Sequence, residues 1–146
     1  MKLSLFSDYS LRVMMFAALK GELFRVDEVT AAYGISRNHL AKVIHSLGQL
    51  GYLETRRGRG GGLRLTRPAA DIRIGRLVRE MEDQPVIVEC FDDVNNTCPL
   101  NGCCRLKGAL AGAMNAFYES LDQLTLQDLV APRHQPKMLQ VLLPKQ

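Results

Sequence analysis

The sequence predicts a mainly α fold with one small β wing, and three observations carry that expectation. Apolar residues recur at three- and four-residue steps through several separate segments. Two short runs, 52–56 and 63–66, flank a glycine-rich stretch in the way hairpin strands flank a turn. A narrow apolar stripe then continues at helical spacing from about residue 104.

Each element follows from its residues. Leu11, Met14, Met15, Ala18 and Leu19 recur at helical spacing behind Ser7 or Asp8 as the cap, and Gly21 ends this first helix. Asp27 and Glu28 open a second helix, where acidic groups suit the positive end of the helix dipole. It carries Val29, Ala32 and Tyr33 and stops at Gly34. After the turn at Gly34 and Ile35, Ser36 is a good N-cap, because its hydroxyl can accept from an unpaired amide of the first turn. The third helix turns Leu40, Val43, Ile44 and Leu47 inward and Arg37, Asn38, His39 and Lys42 outward, and ends near Gly51. A helix, a glycine turn and a capped helix with a polar outer face make a helix-turn-helix, whose second helix enters the major groove of DNA N-terminus first. The hairpin that follows is then a wing. Its Arg56, Arg57, Arg59 and Arg64 are placed to lie along the phosphate backbone or in the minor groove. Gly58-Arg59-Gly60-Gly61-Gly62 is not a nucleotide cradle, because it leads into a strand and lacks the Lys-Ser/Thr pair of such loops.

Pro68 closes the wing, and Ile74, Leu77, Val78 and Met81 mark a short amphipathic helix. Pro85, Val86, Ile87 and Val88 form an extended stretch that delivers Cys90, and 91–101 is polar and turn-rich. Leu106, Leu110, Ala113, Phe117, Leu121 and Leu124 follow as a narrow stripe that resembles a coiled-coil seam and points to a homodimer. Thr125-Leu126-Gln127-Asp128 resembles a capping box for a last short turn. The expected organisation is a winged helix-turn-helix over 1–84, a cluster-binding loop over 85–104, a dimerisation helix over 105–130 and a mobile tail over 131–146.

Charge is divided along the chain. The net +4 conceals seven basic residues against one acid in 36–67, and two basic residues against six acids in 85–131. A basic stripe confined to one module is the footprint of a polyanion, here double-stranded DNA. The longest apolar run, 13–19, is far short of the ~20 residues that a membrane helix needs. No cleavage site for a signal peptide is apparent, so a reducing, cytoplasmic setting and no membrane partner are expected. His39, His45 and His134 lie far from the cysteines in sequence, no nucleophile–base arrangement is visible, and an enzyme is not expected.

All four cysteines, Cys90, Cys98, Cys103 and Cys104, fall within fifteen residues. In a reducing compartment such a group binds a metal or cluster, or does thiol chemistry, more readily than it forms structural disulfides. Zinc sites favour pairs two to four residues apart. The wider gaps here suit the larger body of an iron–sulfur cluster, yet spacing alone leaves both open.

Several segments together resemble the Rrf-type winged-helix repressors over about residues 1–130, and within them the branch that senses nitric oxide. They are Leu3-Ser4-Leu5-Phe6-Ser7-Asp8-Tyr9-Ser10-Leu11-Arg12 at the start, Gly34-Ile35-Ser36 with Leu40-Ala41-Lys42-Val43 in the recognition helix, and Arg57-Gly58-Arg59-Gly60-Gly61-Gly62-Leu63-Arg64-Leu65 in the wing. The most specific are Glu89-Cys90-Phe91, Cys98-Pro99-Leu100 and Cys104-Arg105-Leu106-Lys107, closing on Thr125-Leu126-Gln127-Asp128-Leu129-Val130. The resemblance implies a homodimeric repressor with one 4Fe–4S cluster per subunit, held by Cys90, Cys98 and Cys104 and by Asp8 from the other subunit. A repressor of this kind releases its operator when nitric oxide attacks the cluster, and if the chain is a dimer that operator is expected to be an inverted repeat. Cys103 is a departure from the family pattern. Lys107 stands where the iron–sulfur-assembly branch has a histidine ligand, which argues against that branch. The alternative on the same scaffold is a zinc-stabilised or thiol-redox regulator.

Overall fold

The computed structural model describes residues 2–82 and 87–144. Helix α1 (Leu5–Lys20) runs through the centre. Its cap is Ser4, whose hydroxyl accepts from the Ser7 amide at 3.1 Å, and Gly21 closes the helix at φ 66°. The cap expected at Ser7 or Asp8 is therefore corrected by one turn. Both residues are already helical, and the buried Ser7 spends its amide on Ser4. The residue before the helix is tied from afar, because the Ser4 amide donates to the Glu82 carboxylate at 2.7 Å.

Helix α2 (Val26–Tyr33) starts where the Glu28 carboxylate accepts from the Arg25 amide at 2.7 Å, and it ends on Gly34 at φ 66°. Helix α3 (Arg37–Gln49) is capped by Ser36 and buries Leu40, Val43 and Leu47. Strands β1 (Leu53–Arg56) and β2 (Gly62–Leu65) pair antiparallel, with Leu53 opposite Leu65 and Glu54 opposite Arg64. The hairpin is stitched to the loop after α1 by two backbone bonds between Phe24 and Leu63, at 2.8 and 2.9 Å. A Cβ on Gly62 would lie 2.7 Å from the Phe24 carbonyl oxygen, so this seam requires glycine.

Helix α4 (Ile74–Met81) has no cap of its own. Its first turn is satisfied by α5 (Arg105–Asp122), where the Asp122 carboxylate accepts from the Arg76 amide at 2.7 Å. The two helices meet closely at Gly75, where a Cβ would come within 2.1 Å of the Tyr118 carbonyl oxygen. Met114 and Tyr118 of α5 consequently join the same core as Val13, Met14 and Phe16 of α1, Leu40 and Leu47 of α3, and Leu77 and Val78 of α4. Thr125 caps the short α6 (Leu126–Leu129), whose Asp128 answers it as the capping-box reading expects.

A further expectation meets a different outcome. The segment 131–146, expected as a mobile tail, contains α7 (Gln135–Leu142), and Leu142 and Leu143 pack against the core. Pro136 in its first turn starts this helix rather than breaking it, since the missing amide would be unpaired there anyway. The boundary near residue 84 and the expected extended residues Pro85 and Val86 lie outside the described residues. Val88 is extended, and Cys90 follows in a single 3₁₀ turn, Glu89–Phe91.

Candidate DNA interface and cysteine loop

The candidate DNA-contacting surface is built by α3 and the wing. Ser36, Arg37, Asn38, His39 and Lys42 are all exposed, as are Arg56, Arg57, Arg59 and Arg64. Between helix and hairpin lies an open cleft of about 850 Å³, lined among others by Arg37, His45, Thr55 and Gly61. The cations are not equivalent. Arg37 is paired with Asp27, and Arg64 with Glu54 across the hairpin. Lys42, Arg56, Arg57 and Arg59 have no acidic partner among the described residues. They can meet a phosphate without first giving up an ion pair. Ser36 accepts from the His39 amide and also contacts the His39 Nδ1 at 2.9 Å. The His39 ring stands 6.0 Å from that of Tyr9. These contacts fix the histidine at the entry end of the recognition helix.

The cysteine loop is held by its own polar side chains. The Glu89 carboxylate accepts from both the amide and the hydroxyl of Thr97 at 2.5 Å. Asp92 accepts from the amides of Val94 and Asn95 and from the Asn95 side chain. These bonds hold Glu89 and Asp92 below the usual carboxylate range, with the Thr97 hydroxyl the largest influence on Glu89 and the Asn95 side chain on Asp92. Asn96 closes the turn into Cys98, accepting the Cys98 amide on Oδ1 at 3.0 Å. Cys90, Cys98 and Cys104 are half-buried, whereas Cys103 is exposed and its thiol leans on the Leu100 carbonyl at 3.4 Å.

Four thiols on one loop suit a soft metal or an iron–sulfur group by their donor chemistry. Among the described residues of the single chain, however, no three His, Cys, Asp or Glu side chains converge closely enough to hold a metal ion. Asp8 is engaged elsewhere. Arg12 grips its carboxylate with two hydrogen bonds, of 3.1 and 2.8 Å, and lies over the Tyr33 ring at 5.8 Å. Sequence reasoning missed Arg12 and Asn96. The i,i+4 spacing of Asp8 and Arg12 and the Asn-x-Cys turn were the available signals.

Of the expected seam residues, Leu106 and Ala113 on α5 and Leu124 just beyond its end are exposed, Leu106 at 63%, while Leu110, Phe117 and Leu121 of α5 are half-buried. The buried face of the helix is a different one, carrying Met114 and Tyr118. No helix among the described residues is long and apolar enough to cross a membrane.

Known proteins share both fold and sequence with this chain. It superposes on IscR of T. potens with a TM-score of 0.74, covering 94% of this chain and 91% of that one at 21% identity. It superposes on CymR, the global cysteine regulator of B. subtilis, with a TM-score of 0.71 at 25% identity, covering 88% and 95%. In sequence it is 52% identical over 132 residues to the HTH-type transcriptional regulator NsrR of Bacillus subtilis (strain 168), covering 89% of this chain and 90% of the relative. It is 44% identical over 146 residues to NsrR of Halalkalibacterium halodurans, covering 99% and 100%. Residues 3–132 match the model of the Rrf2 family, described as an iron-dependent transcriptional regulator. With a winged helix-turn-helix and this match over most of its length, the chain belongs to the Rrf2 family of transcriptional regulators.

Proposed function

We propose that this regulator is a homodimeric DNA-binding repressor that senses nitric oxide through one 4Fe–4S cluster per subunit and releases its operator on nitrosylation. The observation that supports this most is the joining, in one chain, of a cationic recognition helix and wing to a loop that holds all four cysteines, three of them half-buried. When bound, the cluster supplies iron that reacts with nitric oxide, more openly where a ligand is an oxygen than where all are thiolates.

The chain's own residues have distinct tasks. Cys90, Cys98 and Cys104 would hold iron as thiolates, and the partner subunit's Asp8 would complete the set. Arg12 then has a second task. It holds the Asp8 carboxylate in the single chain, and its place over Tyr33 joins that carboxylate to the helix before the recognition helix. On the DNA side, Ser36, Arg37, Asn38, His39 and Lys42 face the major groove. Arg56, Arg57, Arg59 and Arg64 follow the backbone or minor groove. A two-fold dimer would read an inverted repeat with half-sites about 34–36 Å apart or a multiple of that.

The test is anaerobic purification, an absorption spectrum, iron and sulfide analysis, and operator binding before and after nitric oxide. Brown protein that carries iron and sulfide and drops its operator on nitrosylation is the expected result. Colourless protein holding zinc or bare thiols would overturn the reading in favour of a zinc-stabilised or thiol-redox regulator.

A further inference from the structure

Among the described residues, Asn96 carries the one side-chain nitrogen that is shielded from solvent and has no hydrogen-bond partner. Its orientation is fixed. The Cys98 amide donates to Oδ1 at 3.0 Å, so exchanging the oxygen and nitrogen would set two donors against each other. The planar amide therefore commits Nδ2, with its two hydrogens, to a buried position on the loop that bears all four cysteines. Buried donors are nearly always paired, and one without a partner calls for an acceptor that the protein alone does not supply. The neighbouring residue shows the contrast, since Asn95 spends its own side-chain nitrogen on Asp92 at 2.7 Å.

We propose that the Asn96 side-chain amide donates a hydrogen bond to anionic sulfur of the bound iron–sulfur group, either the Cys98 thiolate or an inorganic sulfide. The inference rests on the iron–sulfur reading above. A donor at that sulfur withdraws negative charge and favours the reduced, more negative state, so it raises the group's reduction potential. Asn96 is thus a positioning and tuning residue, and its loss removes none of the iron's anchors.

The experiment compares the reduction potential of anaerobically purified wild type with Asn96→Ser, Asn96→Asp and Asn95→Ser. Serine and aspartate both keep an oxygen that can accept the Cys98 amide and so preserve the turn, while neither carries the amide donor. Both Asn96 variants should load the cluster and titrate at a lower potential than wild type, the aspartate lower still because it adds a charge. Asn95→Ser should titrate with wild type. An unchanged potential in Asn96→Ser, or an equal shift in Asn95→Ser, overturns the proposal. If both Asn96 variants fold yet hold no cluster, the residue serves the turn alone and the proposal fails. A wild type that binds no cluster defeats the iron–sulfur reading itself, which is a different result from a loaded series with one common potential.

Discussion

Asp8 and Ser4 sit one helical turn apart and answer to different physics. Ser4 satisfies an amide that would otherwise be unpaired at the start of α1, a contribution of about 0.5–2 kcal/mol for such caps. Asp8 pairs with Arg12 on a half-exposed face, where an i,i+4 ion pair is worth about 0.3–0.5 kcal/mol. In cluster-free protein Ser4→Ala should therefore lower the urea midpoint more than Asp8→Ala. The reverse order would mean that Asp8 bears load in the fold and not in sensing. In loaded protein Asp8→Ala should still assemble its cluster on three thiolates, but its DNA affinity should respond less to nitric oxide. Sequence alone placed the cap at Ser7 or Asp8, because Leu5 and Phe6 gave no sign that the helix had already begun. The cysteines divide by exposure, three half-buried and one open. Cys90→Ala, Cys98→Ala and Cys104→Ala should each give colourless or unstable protein, while Cys103→Ala stays brown. Absorption spectra of the four variants decide this, and a colourless Cys103→Ala beside a brown Cys104→Ala would exchange their roles.

Local elements were legible because their signals are local: a cap, a period and a terminating glycine identify α2, α3 and the hairpin. The ties between elements were not, since they join side chains on different elements whose packing no local period shows. Beside Asp122, three glutamates make such ties, across 8, 28 and 78 residues of chain. Glu28 of α2 meets Lys20 of α1 at 2.7 Å, and Glu80 of α4 accepts from the Tyr52 hydroxyl at 2.5 Å. Glu82, just past α4, accepts the Ser4 amide, 78 residues away. Burial pushes each carboxyl upward, but the hydrogen bonds outweigh it and hold all three below the ordinary range. For Glu28 they come from Lys20 and the Arg25 amide, for Glu80 from Tyr52 and Arg76, and for Glu82 from Ser7 and Ser4. A carboxyl whose folded pKa is depressed contributes stability that is present above its unfolded value of about 4.3 and is lost as pH falls through the folded value. The urea midpoint of cluster-free protein should accordingly fall between about pH 6 and about pH 3, and Glu82→Gln should show a shallower fall. Parallel acid profiles for wild type and Glu82→Gln would show that this tie contributes nothing.

Across the whole molecule the basic module and the acidic C-terminal half were readable as charge, +6 over 36–67 and −4 over 85–131, and the structure adds which face of α5 packs inward. The stripe alone could not say whether it packed inward or met a second chain, because both uses demand apolar residues at helical spacing. The answer lies in Gly75, which lets α4 approach so closely that Met114 and Tyr118 become the inward face. Leu106 and Ala113 are left on the surface, and Leu100 of the cysteine loop is exposed as well. If that surface is the dimer seam, a charge there should separate the subunits while the core stays closed. Ala113→Glu should sediment as a monomer at concentrations where wild type is a dimer, and its far-ultraviolet circular dichroism should match wild type. Its operator affinity should drop sharply, because one subunit bound to a half-site no longer holds the other at high effective concentration over the second. Binding to an isolated half-site should change little, since the recognition helix and wing are untouched. An Ala113→Glu protein that remains dimeric and protects the full inverted repeat would place the subunit contact on another face of the molecule.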